Sequence, residues 1–215
     1  VALPDAAPAQ RGHDGPFGVY VHVPFCFTRC GYCDFNTYTP AELGGANPDA
    51  WVAALDKELE LAAARLGRQP ADTVFVGGGT PSLLGGPRLA RVLDQVREHF
   101  GLAEDAEVTT EANPESTSPE FFGRLREAGF TRISLGMQSA AQHVLRILDR
   151  THTPGRASAA AVEARAAGFE HVNLDLIYGT PGETDDDLRR SVEVAVSAGV
   201  DHVSAYALVV EDGTA

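Results

Sequence analysis

Cysteine is scarce in this chain. Only three occur in 215 residues, Cys26, Cys30 and Cys33, all inside one stretch, VYVHVPFCFTRCGYCDF (Val19–Phe35). An odd number of cysteines bunched this closely excludes the paired framework of a small secreted protein. Basic residues are also few: 17 Lys and Arg against 30 Asp and Glu leave a formal charge of −13. With no basic cluster anywhere, nucleic acid and an anionic membrane surface are excluded as expected partners. No run of 18 apolar residues exists, so no membrane-spanning helix is expected. The opening VALPDAAPAQRGHDGP lacks the basic start and apolar run of a secretory signal. These absences together predict a cytoplasmic protein.

Residues 1–16 are rich in Ala, Pro, Asp and Gly and are expected to form a flexible tail, with one α/β core over 17–215. Phe17–Val23 reads as a first strand. After the cysteines and a polar, turn-rich stretch, Asp49 is placed to cap a helix from Ala50 to about Leu66. From there a unit repeats: a short apolar strand, a polar or glycine-rich end, then an amphipathic helix. The expected strands are Thr73–Val76, Glu107–Glu111, Arg132–Leu135, His171–Leu176 and His202–Tyr206. The expected helices are Pro87–Phe100, Pro119–Ala128, Ala140–Leu148, Gly155–Ala167 and Thr184–Ala198. Strands this apolar, alternating with helices, predict a parallel β/α architecture. A partial six-stranded TIM-like barrel is favoured over a doubly wound sheet. Polar residues follow every strand, and no G-x-G-x-x-G follows the first. No helix pattern follows the sixth strand.

The spacing C-x3-C-x2-C puts three soft sulfurs on one tight loop. Three cysteines leave one iron of a 4Fe-4S cluster without a protein ligand, open to a small molecule. A Cys3His zinc site, with His22 or His13 as fourth ligand, is the competing reading, and spacing alone does not separate the two. Five further polar strand ends favour the cluster, since a structural zinc has no use for them.

Each of those ends has a plain reading. Gly77-Gly78-Gly79-Thr80 is a turn, or a place where exposed backbone groups approach a ligand's ammonium or carboxylate. Glu111 is a helix cap or a ligand contact. Arg150 follows a helix, where a dipole partner is usual. Asp175 is harder to set aside, because it interrupts an apolar strand and a buried carboxylate needs donors. His99, His143, His171 and His202 share no spacing and are expected to be satisfied individually.

The chain resembles the radical S-adenosylmethionine (SAM) family, whose signature is CxxxCxxC with an aromatic before the last cysteine. Cys26, Cys30, Tyr32 and Cys33 match it. Within the family it is most similar to oxygen-independent coproporphyrinogen III oxidases and their sister group, the bacterial heme chaperones. The resemblance implies a 4Fe-4S cluster on the three cysteines and SAM on the open iron. It also implies that Gly77–Gly79 and Thr80 lie at the methionine amino group and that Glu111 lines the pocket. Gln138 would bind ribose, Arg150 the SAM carboxylate, and Asp175 the region of the ribose hydroxyls. In the oxidases a 5′-deoxyadenosyl radical attacks porphyrinogen propionates, and those enzymes carry a fourth cysteine two residues after the third. Here that position is Phe35, within CDFN, as in the chaperones. The implied function is therefore to bind heme and pass it to respiratory hemoproteins, with the oxidase as the alternative. The family's C-terminal region, including the chaperones' HNxxYW stretch, is not found in these 215 residues.

Overall fold

The computed structural model describes residues 15–210 apart from 43, 45 and 46. Most of the expected tail, His13 and the chain's last five residues lie outside the described residues. Six strands run β1 (Gly18–Val23), β2 (Ala71–Gly78), β3 (Leu102–Ala112), β4 (Arg132–Gln138), β5 (His171–Tyr178) and β6 (His202–Ala207). Between them lie α1 (Pro48–Leu66), α2 (Gly85–His99), α3 (Pro119–Ala128), α4 (Gln142–Ile147), α5 (Arg156–Ala166) and α6 (Asp185–Ser197).

All six strands are parallel and their order in the sheet is their order in the chain. A doubly wound sheet would reverse direction at its middle, so this winding is that of a β/α barrel. β1 and β6 each pair on one side only, which leaves the barrel open. Side chains alternate across the strands. Val21, Val23, Val74, Val76, Val108, Ile133, Leu135, Val172 and Leu174 point outward and are buried beneath the helices. The opposite, inner face carries Tyr20, Phe75, Glu111, Ser134 and Asp175. Parallel pairing sets every strand's C-terminal end on one rim, and the polar ends predicted from the sequence are gathered there.

Local chemistry explains the boundaries that differ from expectation. The cap of α1 is Asn47, whose side chain accepts from the Asp49 amide at 2.9 Å, and not Asp49 itself. Pro48 fits the first helical position because its missing N–H would have no partner there. β3 starts five residues early, at Leu102, because Ala71 pairs with Leu102 before the register shifts and Thr73 pairs with Glu107. Leu102 packs against the core, but the exposed Glu104 and Asp105 soon follow, so no continuous apolar run marks the start. β4 continues to Gln138 past a second irregularity, between Gly136 and Gln138. The short α4 is trimmed at both ends from the expected Ala140–Leu148. α3 starts and stops as predicted, with Ser118 accepting from the Phe121 amide and Gly129 at φ 103° closing it. Among the described residues no helix covers the outer face of β6, and Val203 is 39% exposed.

Candidate active site

Cys26, Cys30 and Cys33 follow β1 on a loop held at both shoulders. The Cys26 amide donates to the Tyr38 carbonyl and the Tyr38 amide to the Pro24 carbonyl, at 3.0 and 2.8 Å. Arg29 reaches across to the Thr37 carbonyl at 2.8 Å. Behind the loop, Phe25 packs edge-on to Trp51 of α1. The three cysteines line one wall of a cavity of about 790 Å³ at the strand-end rim. Gly78, Gly79, Thr80, Glu111, Gln138, Arg150, Asp175 and Tyr32 line it too, so the structure brings together every predicted residue except Gly77. Gly77 sits one residue lower in β2, where a Cβ would press on Phe75 and on the Glu111 carboxylate.

The triple glycine serves loop packing as well as any ligand. Gly78 has φ 111°, and a Cβ there would fall 2.7 Å from the His22 ring. A Cβ on Gly79 would fall 2.6 Å from the Phe25 carbonyl and 3.0 Å from Cys26 Sγ. The Gly79 and Thr80 amides donate to the Val23 and Phe25 carbonyls, both at 2.7 Å, fastening this turn to the cysteine loop.

Glu111 accepts from the Gly78 amide at 3.0 Å, an i-to-neighbouring-strand contact and not a helix cap. Its burial, offset in part by that bond, moves its pKa up to about 7. Asp175 has the donors a buried carboxylate needs: Ser134 Oγ at 3.1 and 3.2 Å and Asn173 Nδ2 at 2.7 Å. Burial still raises its pKa above the ordinary value. Neither partner was singled out from sequence, although Asn173 and Asp175, two apart on one strand, necessarily share a face. Gln138 is buried at φ 66°, a left-handed residue just past the β4 irregularity that turns its side chain toward the cavity. Met137 is buried in the core, as expected of a lone methionine. Burial among Ala141, Val144, Leu148 and Ile177 raises the Tyr32 pKa well above its ordinary value.

His22, the candidate fourth zinc ligand, has both ring nitrogens engaged. Nε2 lies 2.9 Å from the Asn36 carbonyl and Nδ1 3.1 Å from the Tyr20 hydroxyl. That pattern makes Nε2–H the donor and leaves no lone pair free for a metal. His99, His143 and His171 each pair with an aspartate, and His202 with Arg132, as individual satisfaction requires.

A 4Fe-4S cluster fits this donor set. Burial pushes the Cys33 thiol up, so metal binding there displaces a proton. Arg150 is a buried cation with no carboxylate partner among the described residues. It donates to Cys30 Sγ at 3.1 Å and to the Gly136 carbonyl at 3.5 Å, while its Nε finds no acceptor. Such a guanidinium calls for negative charge beside it, which thiolate-bound iron–sulfur would provide. Among the described residues no three His, Cys, Asp or Glu side chains stand close enough to chelate a single ion as they are.

The mouth of the cavity differs from its floor. Phe27 is 78% exposed, Phe35 58% and Tyr206 58%, and with Leu83 and Val209 they line the entrance.

Residues 20–195 match the family model described as the radical SAM superfamily. The chain is 72% identical to the heme chaperone HemW of Mycobacterium tuberculosis, over all of this chain and 54% of that protein. It is 38% identical to the heme chaperone HemW of Escherichia coli, over 93% of this chain and 52% of that protein. It thus spans about half the length of the curated relatives it matches. Among solved structures it is similar to the coproporphyrinogen III oxidase of Escherichia coli, a radical SAM enzyme. That likeness has a TM-score of 0.82 at 29% identity, covering 90% of this chain and 44% of the other.

Proposed function

Because the chain belongs to the radical SAM superfamily, we propose that Cys26, Cys30 and Cys33 hold a 4Fe-4S cluster with SAM on its open iron. We propose further that the protein is a cytoplasmic heme chaperone that passes heme to respiratory hemoproteins. When bound, cluster and SAM supply one-electron reduction at the SAM sulfonium. The chain's own residues hold and orient. Arg150 offers a desolvated cation to a carboxylate, and the Gly78–Thr80 turn, its amides already bonded to Glu111, Val23 and Phe25, has carbonyls to offer the ammonium of an amino-acid head. The Asp175 carboxylate, held by Ser134 and Asn173, suits a pair of hydroxyls, and Gln138 lies beside it on the next strand.

The observation that carries the heme reading is Phe35. It stands at the mouth, half exposed, where the oxidase signature places a fourth cysteine. With Phe27 and Tyr206 it makes an aromatic rim over a polar floor, suited to a flat apolar macrocycle above a polar nucleoside. The relatives named above as heme chaperones and as a coproporphyrinogen oxidase both handle tetrapyrroles, which supports the same ligand class.

The deciding experiment uses protein expressed from its complete reading frame and reconstituted without oxygen. Dithionite, SAM and coproporphyrinogen III are supplied, 5′-deoxyadenosine and protoporphyrinogen are assayed, and heme is titrated separately. Stoichiometric heme binding with no turnover, from protein whose cluster is intact, is the expected result. Both products appearing with turnover would make the protein an oxidase despite Phe35.

A further inference from the structure

The loops at the rim are tied into a closed circuit of hydrogen bonds. The cysteine loop accepts from Gly79 and Thr80, and Gly78 in turn donates to Glu111. The Asn113 amide donates back to Ser82 Oγ at 3.0 Å. Two residues on, Glu115 takes both donors of Thr153: the amide at 2.7 Å to Oε1 and the hydroxyl at 3.1 Å to Oε2. Thr153 lies three residues from Arg150, which closes the circuit by donating to Cys30.

The segment from Asp149 to Thr153 is costly to hold. Asp149 has φ 51° and closes α4 in the left-handed conformation, with its amide and that of Arg150 donating to the Arg146 and Leu145 carbonyls. Arg150 Nε and His152 Nε2 are buried without partners. Burial lowers the His152 pKa to about 4, so its ring is neutral beside Arg150. Buried unpaired groups of this kind persist only where surrounding contacts enforce them. Besides the turn to its own helix and the Arg156 amide donating to the Thr153 carbonyl at 3.0 Å, the enforcing contact is Glu115. A carboxylate accepting two bonds from one residue fixes that residue's direction as well as its distance.

We infer that Glu115 is a positioning residue: through Thr153 it holds Arg150 against Cys30 and so sets the affinity of the site for the amino-acid end of SAM. This rests on the SAM reading above, and the test separates the two.

The test uses protein from the complete reading frame, with Glu115→Ala, Glu115→Gln, Thr153→Ser, Arg150→Ala and the double variant Glu115→Ala/Arg150→Ala. Hydrogen exchange over residues 149–155 needs no SAM. Glu115→Ala is expected to speed it at least tenfold while iron content stays at the wild-type level. SAM affinity is expected to fall about tenfold in Glu115→Ala, the loss of charge-assisted bonds, and by less in Glu115→Gln, which keeps one acceptor. Thr153→Ser, which keeps both donors, is expected to bind SAM as wild type. In the Arg150→Ala background, Glu115→Ala should cost nothing more, because its effect passes through that arginine. Unchanged exchange in Glu115→Ala would overturn the inference, as would an equal penalty in both backgrounds. A wild-type protein with a full cluster and no SAM affinity would instead defeat the SAM reading, while the exchange result still decides whether Glu115 holds the loop.

Discussion

Arg150 Nη1 donates to Cys30 Sγ at 3.1 Å, joining positions 120 residues apart in the chain. The contact runs from the loop after α4 back to the loop after β1, across the whole open barrel. It exists because a parallel sheet wound in chain order sets all strand ends on one rim.

That contact predicts a split phenotype. Arg150→Lys keeps the charge but loses the planar fork that reaches both Cys30 and the Gly136 carbonyl. Iron content, measured by chelation after acid release, should remain near wild type. SAM affinity, measured by calorimetry on reconstituted protein, should fall about tenfold. Loss of iron and SAM binding together would assign Arg150 to folding instead.

The two metal readings part on His22. Cys26→Ala, Cys30→Ala and Cys33→Ala should each abolish stoichiometric iron and the brown colour of the reconstituted protein. His22→Ala should leave iron in place and cost about 1–2 kcal/mol of stability, from the bonds to Asn36 and Tyr20. Colourless protein holding one zinc, released by His22→Ala, would establish the Cys3His site.

The sequence showed the site's composition better than its geometry. Apolar runs broken by helices marked all six strands, because each strand buries one face under helices and its signal is local. The cysteine spacing marked the loop for the same reason. What stayed hidden depends on register. Nothing in the sequence says that Gly78 meets His22, that Ser134 faces Asp175, or that Glu115 grips Thr153, since each contact follows from which residues lie opposite across neighbouring strands or loops. The early start of β3 was hidden because the exposed Glu104 and Asp105 and a register shift separate Leu102 from the apolar run that follows. Phe35 was noted for the cysteine it replaces, while its exposure at the mouth needed the fold.

Glu111 gives the site a pH dependence of definite sign. Its pKa is about 7 in the folded protein against an ordinary 4.5, so folding favours the protonated acid. The stability this confers is complete below about pH 4.5 and is lost as pH rises through 7. The full difference is about 3 kcal/mol. Denaturant midpoints of iron-free protein, taken from pH 5 to 8, should therefore fall more steeply in wild type than in Glu111→Gln. The variant keeps an oxygen to accept from Gly78 and has nothing to titrate. Parallel slopes would show that Glu111 is ionised throughout.

Phe35 separates the two tetrapyrrole functions. Phe35→Cys restores the oxidase spacing at one position only, and a thiol at the mouth supplies no contact that would hold a propionate over the reacting centre. It should therefore yield no protoporphyrinogen under turnover conditions. Phe35→Ala removes an exposed ring from the rim without touching the cysteines, Arg150 or Asp175. Heme affinity, followed by absorbance titration, should drop about fivefold, the worth of one aromatic contact. Iron content and SAM affinity should hold, because the polar floor does not depend on the rim. Unchanged heme affinity in Phe35→Ala would move the heme site away from this mouth.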